Sequence, residues 1–441
     1  VPHSPVDHPL PRSTGLAVRP FQALTYRRHD PLHLARVSSP AYDLVTAVGR
    51  ERLAETDPHN IVRLILPHVE AADPPDGDWL GGDGATRGRR SADTAAGTLS
   101  EWIRDGVLVR DREPALWRYE MAPAVGHSTT GWLAAVTLPG PGSAAVLPHE
   151  DTFAPAVEGR RALLAATGTD LEPIVLAHDP DEEVAALTRV TATAAPTLEV
   201  SDPDGVRHRL WRVTDPAVLA ALPRSFAGTG AVIADGHHRF AAARAHQRNG
   251  AAHAGELLAL LTPMGTGGLR LEAIHRVIPD LTFEAALASA AAGFTVRPVT
   301  PPTGTAEEFL RGWPATARPA TFLVTDGQHV AELSAPTAVV RGAVPTDAPA
   351  AWRRLDVVLA HHGLFQQLWG RTDEPSSVLV AHDVAEALRF ARERAGVAVL
   401  LHAPSPADVA AVARADARMP RKSTLFVPKP RTGLVLRPHD G

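Results

Sequence analysis

A chain of mixed helices and strands, α/β or α+β, is what this sequence predicts, and three observations predict it. From residue 157 onward helical and extended segments alternate: EGRRALLAATG helical, PIVLAH extended, DEEVAALTRVTATAA helical, HRLWRV extended, PAVLAALP helical, AVIADG extended. Upstream, PALWRYEMA (114–122) and GWLAAVTLP (131–139) read as an antiparallel pair of strands. Near the other end, SVLVAHDVAEALRFARERAGVAVLLHAPSPADVAAVARADARMP reads β-α-β-α.

The remaining elements follow in order. The tail to about residue 19 carries four prolines and no continuous apolar stretch, so it is expected to be disordered and no signal peptide is expected. FQALTYRR (21–28) and NIVRLILP (60–67) read as strands flanking a helix around 45–56, and DPPDGDWLGGDGATRGRRSAD (73–93) as a long loop or lid. HHRFAAARAHQRNG (237–250) is a helix that follows a strand directly and ends in an Asn-Gly cap. ELLALLTPM and RLEAIHRVI read as strands, LTFEAALASAAAG as a helix, and TFLVTDGQHVAEL as a hairpin turning at Asp326-Gly327. No internal repeat of fixed period is present.

With 441 residues, 44% of them hydrophobic, the chain can build two or three domains with ordinary cores. Its 49 acidic and 44 basic side chains are intermixed and sum to -5, which lacks the one-sided basic field of a constitutive nucleic-acid binder. The absence of cysteine excludes disulfides, thiolate metal ligands and a cysteine nucleophile. Apolar runs such as ELLALL (256–261) and VAVLL (397–401) fall far short of the roughly 20 residues that cross a bilayer, and a soluble, cytoplasmic protein is expected.

Three stretches could carry chemistry. In IADGHHRFAAA (233–243) a strand ends at Asp235-Gly236 and turns into a helix whose first turn holds His237, His238 and Arg239. Free backbone N–H groups, a glycine that admits a ligand and a guanidinium fit an anion, above all a phosphate. The plainer alternative is a helix capped by Asp235 with two surface histidines. Metal chelation by His237 and His238 is a poor fit, because neighbours on a helix point about 100° apart. In AVLPHEDTF (145–153), Glu150 is the candidate general base with His149 beside it, or else the pair is a solvated loop; Arg160 and Arg161 add charge nearby or sit on a wet face. The third stretch is MPRKSTLFVPKPRTG (419–433), which holds Lys422 and Lys429, the only lysines of the chain, with the hydroxyls of Ser423 and Thr424. Lysine is a compact, mobile cation suited to phosphate, and the box does not match a P-loop. Smaller signals are Tyr42 and Asp43 in SSPAYDLV and His275 and Arg276 in LEAIHRVIP, each able to line a pocket or to be ordinary.

Taken in order, PAYD, DPHNIVRLILP, VLPHE, IADGHHRF, IHR and MPRKSTLFVPKPRTGLV resemble the prokaryotic family described as domain of unknown function 1015, over about residues 20 to 435. The resemblance implies an α+β fold with a ParB/sulfiredoxin-like core and mixed sheets, plus a C-terminal α/β portion. On this basis 1–19 is a tail, 20–150 an α+β region, 151–300 the region of the DGHHR box and 301–441 the region of the lysine box. In the ParB and sulfiredoxin-like proteins a comparable turn holds nucleotide phosphates, and a serine kinase there phosphorylates a free amino acid. The resemblance therefore implies phosphoryl transfer between a nucleotide, ATP or ADP with Mg2+, and a small hydroxyl metabolite. Asp235, His238, His149 and Glu150 would act on the reacting groups. Gly236, His237, Arg239, Lys422, Ser423, Thr424, Lys429 and Arg160 would hold phosphate, and Tyr42, Asp43, His275 and Arg276 would line the substrate pocket. A phosphatase acting on a phosphorylated amino acid and a nucleotide-binding switch without turnover are the rival readings. No membrane partner is expected, nucleic acid is disfavoured, and a homo-oligomer is left open. The sequence departs from the family where Tyr-Glu-Thr-Ala is replaced by Phe240-Ala241-Ala242-Ala243, where PPYD becomes PAYD, and where the Lys and Asp-Arg after VLPHE become Val157 and Gly159-Arg160.

Overall fold

The computed structural model of the chain describes residues 15–67, 84–140, 142–250, 255–265, 267–300, 306–313, 320–372, 374 and 376–440. They form two compact units, one comprising the residues up to Leu147 with Thr152–Leu269 and the segment from Pro428, the other Pro148–Asp151 with Arg270–Val427.

The first unit is built on a nine-stranded mixed sheet. Its order runs Val146–Leu147, Ala231–Asp235, Ile174–His178, Glu256–Pro263, Thr129–Thr137, Leu116–Ala122, Arg207–Val213, Leu198–Ser201, with Val18–Arg19 added beside Thr129–Thr137. Parallel pairing occurs where Ala231–Asp235 meets Val146–Leu147 and where Glu256–Pro263 meets Ile174–His178; the other neighbours are antiparallel. The central strands are buried along nearly their whole length, which is why they read as continuous apolar runs. Leu116, Trp132, Val136, Ile174, Leu176, Phe226 and Ile233 form the core with Phe240 and Ala243 of the helix His237–Arg248. The C-terminal segment is sewn into this unit. Arg437–Pro438 pairs with Thr169–Asp170, and Arg437 Nη1 bonds Asp170 Oδ2 at 2.9 Å while its Nη2 bonds Glu256 Oε2 at 3.0 Å.

The second unit holds a six-stranded antiparallel sheet ordered Thr295–Pro298, Val330–Ser334, Phe322–Thr325, Val397–Leu400, His275–Ile278, Leu379–Ala381. The helix Val384–Glu393 buries Ala387, Leu388 and Ala391 against Val277, Leu323 and Ala398. Its start is fixed by Asp383, whose side chain accepts from Glu386 N. The hairpin expected at Asp326-Gly327 and the terminal β-α-β-α unit are present, so the fold is α+β with several sheets.

Four expectations are corrected. NIVRLILP is not a strand: Val62–Ile65 is a short helix with Val62, Leu64 and Ile65 buried, and so short an apolar run carries no period to separate the two. The loop expected over 73–93 is helical from Gly84, where Gly84–Arg104 begins; residues 68–83 lie outside the described residues. The tail is ordered before residue 19, because Leu16 is buried and Val18–Arg19 joins the sheet; residues 1–14 lie outside the described residues. The division into units falls at 147, 151, 269 and 427 rather than near 150 and 300, since strand pairing ignores chain order.

Candidate functional site

In the first unit the strand Ala231–Asp235 runs buried to Ala234 and delivers Asp235 at its end. Gly236 follows at φ 95°, in the left-handed region, and a Cβ there would lie 2.8 Å from Ile174 Cγ2, so both the turn and the close approach require glycine. The helix His237–Arg248 thus starts at Gly236 with no side chain capping it. Asp235 is not the cap of the plainer reading. Its carboxylate instead takes Arg239 Nη2 on one oxygen and Lys429 Nζ at 2.8 Å on the other. Nor are both histidines on the surface: His237 is buried, and His238 Nε2 accepts from Phe153 N at 3.1 Å.

Lys429 reaches this place because the returning C-terminal segment bridges Thr432 to Ser39. Its ammonium lies 2.5 Å from Asp43 Oδ2 as well, with the lysine side chain 12% exposed. Burial is the largest single influence on that ammonium and opposes its charge, but Asp235 and Asp43 together outweigh it and push the pKa up to about 12. Arg239 Nη1 donates to Pro173 O at 2.6 Å. Burial works against its charge too, yet Glu172, Asp235, Tyr42 and Asp43 hold its pKa above the ordinary value, while its Nε is buried without a partner among the described residues. Tyr42 lies beneath Arg160, whose guanidinium carbon is 3.7 Å from the ring centroid, and Arg239 stands 5.6 Å from the same ring. Arg160 Nη1 donates to Ile65 O at 2.9 Å. Arg161 is occupied by Glu158, 2.6 Å away.

Tyr42, Asp43, Arg160, Asp235, Gly236, Arg239 and Lys429 are therefore brought together. Three cations, Arg160, Arg239 and Lys429, meet three carboxylates, Asp43, Asp235 and Glu172. A small cleft beside them is lined by Arg160, Glu172, Ile174, Arg239 and Leu257, and at about 50 Å³ it has room for a few waters. Glu172 was missed by the sequence: its Oε1 accepts from Tyr42 N at 3.1 Å and from the Thr432 hydroxyl at 2.9 Å. Arg431 was missed as well, buried with its Nε on Ser38 Oγ at 2.6 Å and its backbone N–H on the Tyr119 hydroxyl at 2.9 Å. Neither stands in a pattern; only the position of Arg431 two residues after Lys429 pointed its way.

The other expected residues belong to the second unit. The Thr424 hydroxyl donates to Glu150 Oε1 at 2.8 Å and lies 2.9 Å from His149 Nε2. Ser423 Oγ donates to Pro420 O at 2.5 Å. Lys422 is exposed at φ 50°, and its carbonyl accepts from Arg276 Nη2 at 2.9 Å. Arg276 is fully buried, also bonding Arg421 O and His361 Nε2, which makes it a brace for the lysine box rather than a group open to a pocket. His275 lines a cavity of about 590 Å³ together with Arg311, His382 and His402. Burial, then the Arg276 charge, push its pKa down to about 4. Among the described residues no group of three or more His, Asp or Glu side chains is arranged to hold a metal ion, and no helix is long and apolar enough to cross a membrane.

The model of one family, described as a protein of unknown function (DUF1015), matches residues 18–358. The chain belongs to that family. No curated protein matches this DUF1015 member. Among solved structures it is similar to SbnI with a C-terminal truncation from Staphylococcus aureus, at 11% identity and a TM-score of 0.33, covering 67% of this chain and 82% of that one. A free serine kinase in complex with AMP is 13% identical with a TM-score of 0.30, over 64% of this chain and 84% of that one. A conserved hypothetical protein from Pyrococcus furiosus is likewise 13% identical with a TM-score of 0.30, over 64% and 87%. TM-scores this low leave all three as distant similarities.

Proposed function

We propose that the uncapped start of the helix His237–Arg248 binds a phosphate of ATP or ADP, and that this DUF1015 protein transfers a phosphoryl group from it to a small hydroxyl metabolite such as serine. In this reading the unit around the DGHHR box has a ParB/sulfiredoxin-like core and the protein works in the cytoplasm. The observation that carries it is the convergence of three distant segments, 42–43, 235–239 and 429, on a helix start that no side chain caps. Backbone N–H groups at 237–239 would face the phosphate, with Lys429 and Arg239 exchanging part of their carboxylate contacts for it. The hydroxyl oxygen forms a bond to phosphorus as the bond to the departing nucleotide breaks, and the hydroxyl proton passes to a carboxylate. Asp43 is assigned that role, being the more exposed of the two carboxylates on Lys429, at 26% against 12%. Magnesium is usually held by one or two carboxylates plus substrate phosphates; in this reading Asp235 would hold it against the phosphates, leaving Asp43 to take the proton. Glu150, the base expected from sequence, lies in the other unit on Thr424, so this reading does not rest on it.

A second reading, a nucleotide-gated switch without turnover, is favoured by one fact: each of the three cations already has an oxygen or ring partner in the protein, so a phosphate must break contacts to enter. Titration of ATP, ADP and AMP with and without Mg2+, followed by mass spectrometry of serine incubated with the tightest-binding nucleotide, separates the two. Phosphoserine formed by the wild type and lost in Arg239→Ala supports the kinase reading. Nucleotide binding with no product supports the switch, phosphate release from phosphoserine without nucleotide supports the phosphatase, and no nucleotide binding at all overturns the site.

A further inference from the structure

A chain of buried polar groups runs through the first unit to the segment that carries Lys429. The Arg431 backbone N–H donates to the Tyr119 hydroxyl at 2.9 Å, Tyr119 Oη lies 2.9 Å from His208 Nδ1, and His208 Nε2 lies 3.3 Å from Asp202 Oδ2. Sheet register makes this possible. Tyr119 pairs with Leu210 and Met121 with His208, so Tyr119 and His208 are diagonal neighbours on one face of the strands Leu116–Ala122 and Arg207–Val213.

The direction of the chain is fixed at its head. A backbone N–H can only donate, so the Tyr119 oxygen accepts from Arg431 and its own proton goes to His208 Nδ1. The imidazole is then neutral with its proton on Nε2, which donates to Asp202. Burial agrees, raising the Tyr119 pKa and lowering that of His208 against the pull of Asp202; both residues are almost wholly buried. Asp202 is held in turn, its Oδ1 accepting from Val206 N at 2.8 Å. Phenylalanine would fill the space of the Tyr119 ring, so what the hydroxyl adds is a grip on one backbone group of the C-terminal segment.

That group stands two residues from Lys429, and the link between them is stiff, because Pro428 and Pro430 on either side of the lysine each have a fixed φ. On its other side Arg431 is lashed to the segment that carries Asp43. Its Nε donates to Ser38 Oγ at 2.6 Å and its Nη2 to Ser38 O at 3.1 Å, while Thr432 and Ser39 exchange backbone bonds of 2.9 and 3.1 Å. Arg431 is thus the joint between the sheet, the Asp43 segment and Lys429.

We propose that Tyr119, His208 and Asp202 are positioning residues: through the Arg431 backbone they set where the Lys429 ammonium stands between Asp43 and Asp235. The consequence for nucleotide rests on the phosphate-site reading; the placement of Lys429 does not.

Lysine labelled with 15N at Nζ tests this at one place, since Lys422 and Lys429 are the only lysines and Lys422→Met tells their two ammonium signals apart. In the wild type the Lys429 ammonium protons should exchange slowly with water, and in Tyr119→Phe about tenfold faster, the factor that one hydrogen bond is worth. Tyr119→Phe also strands two buried groups and lowers stability, so two further variants separate placement from stability. In Asp202→Asn the amide oxygen stays on Val206 N and an amide N–H faces His208; the imidazole proton should move to Nδ1, seen in the 15N spectrum of the ring, with faster exchange at Lys429. Val136→Ala truncates the core of the same sheet, at a position paired with Val18 and Leu257, and should lower the melting temperature while leaving Lys429 exchange at the wild-type rate. That pattern supports the proposal. An imidazole proton that stays on Nε2 in Asp202→Asn, a Lys429 rate unchanged in either relay variant, or a rate as fast in Val136→Ala overturns it. ATP titration then reads the consequence: several-fold weaker binding is expected in Tyr119→Phe, and binding as tight as in the wild type overturns the link to nucleotide. No binding by the wild type overturns the phosphate reading itself, and the Lys429 spectra still decide the placement.

Discussion

Lys422 and Lys429 stand seven positions apart in one box and meet opposite fates. Lys429 lies in the first unit with its ammonium between Asp43 and Asp235 and 12% of its side chain exposed. Lys422 lies in the second unit, exposed, and contributes its carbonyl to Arg276. The chain crosses from one unit to the other between Val427 and Pro428, so the ammonium charge of one lysine is built into a carboxylate cluster and that of the other points outward. Identical residue type and near-identical position do not make a pair; the difference comes from which sheet each flank joins, Leu425–Val427 pairing with Arg270–Glu272 and Thr432 bridging to Ser39.

The contrast can be broken by substitution. The largest effect is expected at the brace itself: Arg276→Met strands the carbonyls of Arg421 and Lys422 inside the second unit and should cost about 3 kcal/mol or more in urea unfolding. Lys429→Met leaves Asp43 and Asp235 without their shared cation and should cost about 2 kcal/mol, below the figure for a fully buried pair because Asp43 is partly wet. Gly236→Ala should cost about 1–3 kcal/mol, from a positive φ and a 2.8 Å contact with Ile174, and should shift the helix start enough to weaken any nucleotide titration. Lys422→Met is expected to stay within about 0.5 kcal/mol of wild type; a loss as large as that of Lys429→Met would abolish the contrast.

Titration sharpens it further, because Lys429 and His275 lose their contributions at opposite ends of the pH scale. Lys429 is raised in the folded state, so its contribution is whole below about pH 10.5 and is lost as pH rises through about 12. His275 is depressed to about 4, so its neutral, buried form favours folding above about pH 6.5, and that contribution drains away as pH falls toward 4. Unfolding followed from pH 3 to 12 should show an alkaline loss that is smaller in Lys429→Met, where the raised Tyr26, Tyr42 and Tyr119 remain, and an acid loss that shrinks in His275→Gln.

Much of the secondary structure was legible because strands and helices here carry their periods openly. The DGHHR turn was legible as well, as a strand running through Asp235-Gly236 into a helix, while the role of Asp235 as cap or as partner of Lys429 was not. NIVRLILP was not, since a short, mostly apolar run does not span enough turns to show its period. Glu172 was illegible for a different reason. Nothing near DLEPIVL marks its carboxylate, which matters only because Tyr42 and Thr432, 130 and 260 positions away, arrive beside it.

Residue types and local order alone determined the α+β character, the glycine at the head of the helix and the concentration of cationic groups in two short boxes, because hydrophobic period and backbone sterics act over a few residues. Only the tertiary structure decided that Lys429 joins Asp43 and Asp235, that Arg276 is a buried brace, and that Tyr119 links the Arg431 backbone to His208. Those outcomes depend on strand pairing between segments far apart in the chain, and pairing is settled by burial of whole sheets rather than by any short stretch of sequence.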